Sequence, residues 1–380
     1  MTFWQFMVKD FTAIIKDRAI AITLFGGVVF YSVLYPLPYL NQVVTEMPIV
    51  VVDHDHSSLS RDIIRNADAS PKVKIEAYAD SIDDAQKQIK AGKAHGYLFI
   101  PKDLRKNLIL GHGATLSYGG DANYFLVYSA IAEGLMSVGM DTAKDLQFVG
   151  LMAKGTNPAA AKVAVNSIHL NSVPVFNSNL GYLGYIVPAV FMLVLHQTLI
   201  IGAGILGAGQ WRQQEYWQQT SPLLLVCGRI AVFSLLYFVF SLFYFGWCFY
   251  AYGISVQSLM SEFLLLLLPF ILATSATGVA FSTFFERRDL PTQVALLSSM
   301  PILFVSGFVW PLELIPQPLI WLFQCIPAVP AIMASLKLNQ LGASWSDVFP
   351  YWLQLWGLFA VYFLLAYWRV SKKQLELKHD

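Results

Sequence analysis

Long apolar runs alternate with short polar turns along most of this chain. Six runs are long enough to cross a bilayer, because about twenty helical residues span its hydrocarbon core. The pattern therefore predicts a polytopic α-helical membrane protein with six transmembrane helices, the second to fifth filling 182–309. We expect the spans at 19–39, 182–206, 226–252, 262–285, 291–309 and 350–369.

The stretch 301–330 is equally apolar, but six prolines and Gly307 interrupt it. No single straight helix can run through so many breaks. Because unpaired peptide groups are costly in hydrocarbon, a broken backbone has to pack against protein or line a cavity. We therefore interpret the stretch as the end of the fifth span followed by a re-entrant helical hairpin at 310–330.

An amphipathic segment precedes the first span. Six large apolar side chains fall on one helical face of residues 1–18, and four charged ones lie mostly opposite. This pattern predicts a helix lying in the membrane interface. The segment lacks the small-residue cleavage site of a signal peptide, so we expect it to be retained. The apolar face holds Phe3, Trp4, Met7, Phe11, Ile14 and Ile15, and the charged face holds Lys9, Asp10, Lys16 and Asp17.

The composition becomes that of a soluble domain between the first two spans, over 46–179. Short β-like runs alternate there with capped helical runs, which predicts a small α/β layer. A long helical stretch after Asp121, a candidate stalk, leads to the Asn-rich connector 166–179. We expect strands at 48–53, 73–77, 95–100 and 115–118, and helices at 57–66, at 81–90 and after Pro101.

Composition and charge agree with a membrane protein. Of the 380 residues, 56% are hydrophobic and 13% are charged, whereas soluble domains carry about 25% charged residues. The net charge of +1 gives no reason to expect nucleic acid as a partner.

The distribution of Lys and Arg near the span ends sets the orientation. With the N-terminus inside, 11 of these residues flank the inner ends, whereas the short outer loops carry only Lys337. Both termini, including the tail 370–380, are therefore predicted to be cytoplasmic, and the inserted domain extracytoplasmic.

This topology places the hairpin at the outer face, where it is a candidate outer gate or lid. Glu313 would face either an outer vestibule or the lipid headgroups. The candidate gate residues are Gly307, Pro311, Glu313, Pro316 and Pro327.

Polar residues are rare inside the predicted spans, and His196 and Gln197 of the second span are the conspicuous pair. They would either hydrogen-bond to a neighbouring helix or contribute to a translocation path. In the inserted domain, Asp53-His54-Asp55-His56 offers four metal-ligand types in a row. Turn and cap chemistry explains the same four residues equally well.

No phosphate-binding loop of the form G-x-x-x-x-G-K-[ST] occurs. If ATP drives this protein, a separate subunit must hydrolyse it. The loop 207–225 after the second span suits a short inner-surface helix that touches such a partner, or else interfacial anchoring by tryptophan. Its candidate coupling residues are Arg212, Glu215, Tyr216 and Trp217.

Four features together resemble the ABC-2 type exporter permeases that carry a large extracytoplasmic domain between their first two spans. They are the amphipathic start, the run Ile49-Val-Val-Val-Asp53 with Ser57 and Ser60 after it, the run from Ala91 to Pro101, and Ser306-Gly-Phe-Val-Trp-Pro311 with its following prolines. The last is the most specific, and the resemblance covers essentially the whole chain.

The resemblance implies the transmembrane subunit of an ATP-driven exporter in the inner (plasma) membrane, with no catalytic residues and no bound cofactor. ATP and Mg would bind the partner ABC ATPase subunits. In that family two permeases pair, so a second copy or a related permease is expected. The substrate would be amphipathic or hydrophobic, leaving the cytoplasm or inner leaflet. Whether a periplasmic membrane-fusion adaptor docks is open.

One departure concerns the loop after the second span, where many relatives carry an acid-and-arginine run followed by Gly-Thr. This chain has Gln213 and Gln214 there, which leaves the individual ATPase contacts open. Two other functions remain as alternatives: a non-transporting envelope scaffold or sensor, and an ion-coupled exporter that would depend on His196 or Glu313.

The topology makes a direct prediction. In a chain without its native cysteines, Glu313→Cys and Gln317→Cys are expected to react with an impermeant maleimide added from outside. Lys372→Cys serves as the control and should react only from the cytoplasmic side. Labelling of the hairpin positions from the cytoplasm alone would overturn the topology.

Overall fold

A computed structural model describes residues 1–40, 44–166, 175–176, 181–211 and 216–379. The chain divides into two compact units. One combines Met1–Gln42 with Pro174–Asp380, and the other is Val43–Val173. The first unit is helical, whereas the second contains a four-stranded sheet.

The chain begins with two helices. Helix α1, Phe3–Lys16, starts at a capping box in which the Thr2 hydroxyl accepts from the Gln5 N–H and the Gln5 side chain accepts from the Thr2 N–H. Asp17 then caps helix α2, Arg18–Tyr39, which is long and apolar enough to cross a membrane. A π-helical turn, Ile22–Gly26, interrupts α2; such turns are rare and occur frequently at functional sites.

The second unit follows as alternating strands and helices. These are β1 Met47–Asp53, α3 Ser58–Asp68, β2 Val73–Tyr78, α4 Ile82–Lys90, β3 Gly96–Ile100, α5 Leu104–Ile109, β4 Ser117–Gly120, α6 Phe125–Ala153 and α7 Pro158–Val165.

The sheet has the order β2-β1-β3-β4, with β1 parallel to β2 and β3 and with β4 antiparallel to β3. The central strand β1 is buried on both faces. Ile49 and Val51 pack with α3 and α6, whereas Val50 and Val52 pack with α4. Helices on both faces explain the unbroken apolar run of β1, which is typical of a buried parallel strand.

The remaining helices complete the first unit. They are α8 Leu183–Gln210, α9 Pro222–Tyr252, α10 Met260–Ser282, α11 Leu290–Val305, α12 Gln317–Phe323, α13 Ala328–Asn339 and α14 Trp345–His379. Among the described residues, five helices are long and apolar enough to span a membrane: α2, α8, α9, α10 and α14. The bent pair α12–α13 would make a sixth.

The proline-rich region differs in detail from the sequence prediction. Helix α11 has only 16 residues and ends at Val305, before the expected end of the fifth span. The hairpin does not end at Pro330, because α12 and α13 meet at 95° and α13 runs on to Asn339. Pro330 is tolerated in the first turn of α13, where its missing N–H has no helical partner to lose. Helix α14 continues beyond the predicted sixth span, through most of the predicted tail, to His379.

Helix α8 is the centre of the bundle, and nearly all of its side chains are buried. Glycines let its neighbours approach closely. A Cβ at Gly202 would lie 2.8 Å from Leu24 Cδ2, and one at Gly207 would lie 2.3 Å from Ser282 Oγ. The glycines at the end of α8 therefore serve helix packing, as small residues do in membrane bundles.

This packing predicts the effect of one added methyl group. Gly207→Ala forces α8 and α10 apart and is expected to destabilise the protein by about 1–3 kcal/mol, the usual cost of overpacking. The measurement is the melting temperature in detergent. Gly357→Ala is the matched control, because a Cβ there meets nothing within 4 Å. An equal loss at both positions would contradict the packing argument.

Candidate functional site

An uncharged groove lies between α2, α8 and α11. Its volume is about 490 Å³, and none of its lining side chains is charged. Helices α2 and α11 both pack against α8, which forms its floor. We call this cavity the groove; it is lined by Ile22, Thr23, Gly26, Gly27, Phe30, Tyr31, Tyr35, Leu193, Val194, Gln197, Thr198, Ile201, Thr292, Leu296 and Ser299.

The π-turn of α2 contributes directly to the groove. Ile22, Thr23 and Gly26 belong to the turn and line the cavity. The next residue, Gly27, brings α2 close to α8, since a Cβ there would lie 3.4 Å from Thr198 Cγ2. The irregular backbone of α2 thus lies where the groove is formed.

Gln197 gives the groove a buried polar group. Its side chain is only 8% exposed, and its amide nitrogen has no hydrogen-bond partner. A buried donor left unpaired costs about 1–3 kcal/mol. The neighbouring Thr198, in contrast, donates to the Val194 carbonyl at 2.7 Å and accepts from the Tyr237 hydroxyl at 2.9 Å. Gln197 is therefore the lining residue of the groove whose amide nitrogen lacks a partner.

His196 does not line the groove. It is buried at 1% exposure, and neither ring nitrogen has a hydrogen-bond partner. One of the two explanations of the His196–Gln197 pair is a hydrogen bond to a neighbouring helix. Neither the His196 ring nitrogens nor the Gln197 amide nitrogen makes such a bond.

The hairpin is held by side chains that satisfy its broken backbone. The Tyr185 hydroxyl donates to the Phe308 carbonyl. Two side chains of α14 reach the bend between α12 and α13: Gln354 donates to the Gln324 carbonyl at 2.9 Å, and Tyr362 to the Cys325 carbonyl at 2.8 Å. These bonds provide the partners that non-helical backbone requires at membrane depth.

The five candidate gate residues lie in or beside this hairpin. Gly307 has φ +87°, a conformation that favours glycine, and a Cβ there would lie 2.8 Å from Leu312 Cγ. Glu313 is exposed in a 3-10 turn between Pro311 and Pro316. The structure does not bring these residues or Pro327 into the lining of the groove.

A second buried polar site connects α1 to the rest of the bundle. The Arg229 guanidinium donates to both carboxylate oxygens of Asp10, from Nε at 3.0 Å and from Nη2 at 2.8 Å. Nη2 also donates to Gln210 Oε1, and the Tyr216 hydroxyl donates to Asp10 Oδ1 at 2.6 Å. Asp10 is 0% exposed and Arg229 is 1% exposed. We call Asp10, Gln210, Tyr216 and Arg229 the polar cluster.

The polar cluster corrects the prediction for the N-terminal helix. Asp10 was expected on its charged face, yet Phe6, Asp10 and Ile14 form the buried stripe of α1. Four residues of the predicted apolar face are exposed, as the lipid-facing side of an interfacial helix would be: Phe3, Trp4, Phe11 and Ile15. Arg229, counted in the sequence as a charge flanking a span, lies inside α9 and is paired there. The four-residue spacing of Phe6, Asp10 and Ile14 is the signal that could have indicated a buried carboxylate.

The described part of the loop after α8 is anchored inside the protein. Trp217 is 0% exposed and meets Trp211 edge to face, with ring centroids 4.8 Å apart. Gln374 of α14 donates to the carbonyls of Trp217 and Thr220 at 3.0 and 3.1 Å. Trp217 therefore holds the loop in place and could reach a partner only through its neighbours.

Tyr216 joins the same loop to the polar cluster. Burial, with the Asp10 carboxylate beside it, raises the pKa of Tyr216 well above the ordinary value for a phenol, so the hydroxyl remains a donor. The other two predicted coupling residues, Arg212 and Glu215, lie outside the described residues.

The polar run at the end of β1 makes turn and cap contacts. Asp53 accepts from the Ser60 hydroxyl at 2.8 Å and from the backbone N–H groups of Asp55 and His56. His54 Nε2 lies 2.8 Å from the Asp80 carbonyl oxygen. Within the part of the chain that the structure describes, no group of three or more His, Cys, Asp or Glu side chains could hold a metal ion.

Comparison with protein families gives one match that covers most of the chain. Residues 18–368 match the family model described as ABC-2 family transporter protein. No individual curated protein gives a match. The match includes all five long apolar helices at least in part, the inserted sheet and the proline-rich hairpin. Membership implies partnership with ABC ATPase subunits and a transport role for this subunit, not a catalytic one. The chain therefore belongs to the ABC-2 transporter permease family and is a multi-pass membrane subunit of an ABC transporter.

Proposed function

We propose that this chain is the permease of an ATP-driven exporter and moves an amphipathic or hydrophobic substrate from the cytoplasm or inner leaflet to the outside. ATP and Mg would bind separate cytoplasmic ATPase subunits. The observation that carries the proposal is the uncharged groove with its unpaired Gln197 amide.

The groove chemistry supports a largely apolar substrate with neutral polar groups. Thr23, Thr292 and Ser299 place hydroxyl-bearing side chains in its wall. Tyr31 and Tyr35 stack with ring centroids 5.2 Å apart and add aromatic surface. A charged substrate group would find no counter-charge in this wall, and burying an unpaired charge is far more costly than burying an apolar group. Pockets of this size with a few placed polar groups are typical ligand sites.

A second permease would complete the groove. The cavity is open rather than enclosed, and the adjoining surfaces of α2 and α11 are apolar. Phe30 is 59% exposed, Met300 64% and Leu297 81%. A second copy or a related permease packed against these faces would enclose the substrate, and its own groove would face the first.

The positive-inside distribution of Lys and Arg supports an orientation with both termini in the cytoplasm. Export, and a location in the inner (plasma) membrane, rest on the resemblance to ABC-2 exporter permeases. The inserted sheet unit would lie outside, where a periplasmic adaptor could bind it, and the hairpin would gate the exit. The loop that carries Tyr216 and Trp217 would lie at the cytoplasmic end, next to the ATPase.

The groove should change during the ATPase cycle. The complex of the chain with its ATPase, free of native cysteines, is reconstituted and compared without nucleotide and trapped with ADP and vanadate. Ser299→Cys, in the groove, is expected to change its rate of reaction with N-ethylmaleimide by about fivefold or more between the two states, a usual size for coupling between sites. Leu364→Cys on α14 is the control and should change little, because Leu364 is 64% exposed and lies neither in the groove nor on the faces of α2 and α11 that would meet a second permease.

Equal reactivity of Ser299→Cys in both states would count against the groove as the transport path. A chain that neither binds an ABC ATPase nor alters its rate of hydrolysis would instead support the scaffold or sensor. Transport driven by a proton gradient without ATP would support the ion-coupled exporter.

A further inference from the structure

The polar cluster joins the N-terminal helix to three segments that lie about 200 positions later in the chain. Asp10 belongs to α1, Gln210 ends α8, Tyr216 lies in the following loop and Arg229 lies in the third turn of α9. Each of the four is hydrogen-bonded to at least one other. No other described ion pair is buried at both partners.

Apolar packing alone brings α1 and α9 together. Phe6 is fully buried against Gly228, where a Cβ would lie 2.4 Å from Phe6 Cδ1. The Phe6 ring also meets the Tyr216 ring edge to face at 5.7 Å. The close fit of Phe6 over Gly228 sets how near the two helices approach, whereas the hydrophobic attraction itself has no preferred direction.

The ion pair adds direction to this contact. Arg229 binds both carboxylate oxygens through its planar fork, which is the geometrically specific form of an Arg–carboxylate pair. Moving α1 by one residue shifts Asp10 by 1.5 Å along the helix and about 100° around it, which breaks both bonds. Well-packed apolar residues often stabilise a fold as well as a buried ion pair does. The distinct contribution of Asp10 and Arg229 is therefore to fix one register.

We infer that the Asp10–Arg229 pair is a positioning element that holds α1, the Tyr216–Trp217 loop and α9 as one rigid unit. When an ATPase displaces this loop, α9 then moves with it, and α9 and α1 keep their relative position. The inference rests on the proposed function for the source of the displacement. The rigid unit itself can be tested without the ATPase.

The test measures a distance between nitroxide labels at Trp4→Cys on α1 and Tyr250→Cys near the end of α9, whose native side chains are 71% and 88% exposed. With the native pair, we expect one narrow distance distribution, identical in the chain alone, in the nucleotide-free ATPase complex and in the vanadate-trapped complex. Asp10→Leu/Arg229→Met should keep the fold, because it replaces the pair by apolar residues. The double variant should broaden the distance distribution in all three states. It should also reduce, about fivefold or more, the change in ATP hydrolysis rate that the chain causes when it binds the ATPase.

Two further variants test whether the broadening comes from loss of the fixed register, from loss of charge alone or from a general effect of such substitutions on folding. Arg229→Lys keeps the charge but loses the planar fork, so it should broaden the distribution less than the double variant does. Arg287→Met/Asp289→Leu makes the same two changes at an exposed ion pair and should leave the distribution narrow.

A distribution that stays narrow in Asp10→Leu/Arg229→Met, or that changes with nucleotide in the native pair, would overturn the inference. Broadening in the Arg287→Met/Asp289→Leu control would also overturn it. If the chain neither binds nor affects an ABC ATPase, the proposed function fails, yet the distances in the chain alone still decide whether the pair holds a rigid unit.

Discussion

Satisfying backbone polar groups away from water is the constraint on which the membrane unit depends. A straight helix meets it internally, but this chain repeatedly departs from straight helix near Phe308 and at the bend around Cys325. At both places a tyrosine hydroxyl from a neighbouring helix donates to the freed carbonyl. The proline-rich hairpin is therefore stable only as part of the bundle, because α8 and α14 supply partners that its own sequence lacks.

The same constraint explains why the buried charges occur together. An isolated guanidinium at 1% exposure would be strongly unfavourable. Arg229 is acceptable because the Asp10 carboxylate neutralises it and Gln210 accepts a further hydrogen bond. Removing one partner of such a pair typically costs about 3–5 kcal/mol, since the other charge is left buried. The contact between the N-terminal helix and α9 therefore depends on both residues, because losing either one alone would leave the other charge buried and unpaired.

The sequence predicts elements better than contacts. The apolar runs indicate five of the six predicted spans, while α11 at the predicted fifth span has only 16 residues. The β-like run at 48–53 indicates the strand β1, because each pattern reflects local burial. The Asp10–Arg229 pair spans 219 positions, and it depends on how α1 is rotated. Helical periodicity puts Asp10 on the charged face, because Phe3, Trp4 and Phe11 define the largest apolar face of the helix. The side that is buried in the structure is a different one, formed by Phe6, Asp10 and Ile14. The sequence also cannot predict that the Gln197 amide nitrogen is unpaired, since a polar residue in a span does not show whether a neighbouring helix offers it a hydrogen-bond partner.

The two buried polar sites of the bundle differ in a way that assigns them different roles. In the polar cluster, each member finds a partner within the chain, so the site can hold helices in register but offers little to a ligand. In the groove, the Gln197 amide nitrogen is buried without a partner beside an open, uncharged cavity. An unpaired donor carries a free-energy cost, and an acceptor that enters the cavity would lower it. The first arrangement suits transmission of movement, and the second suits recognition of what is moved.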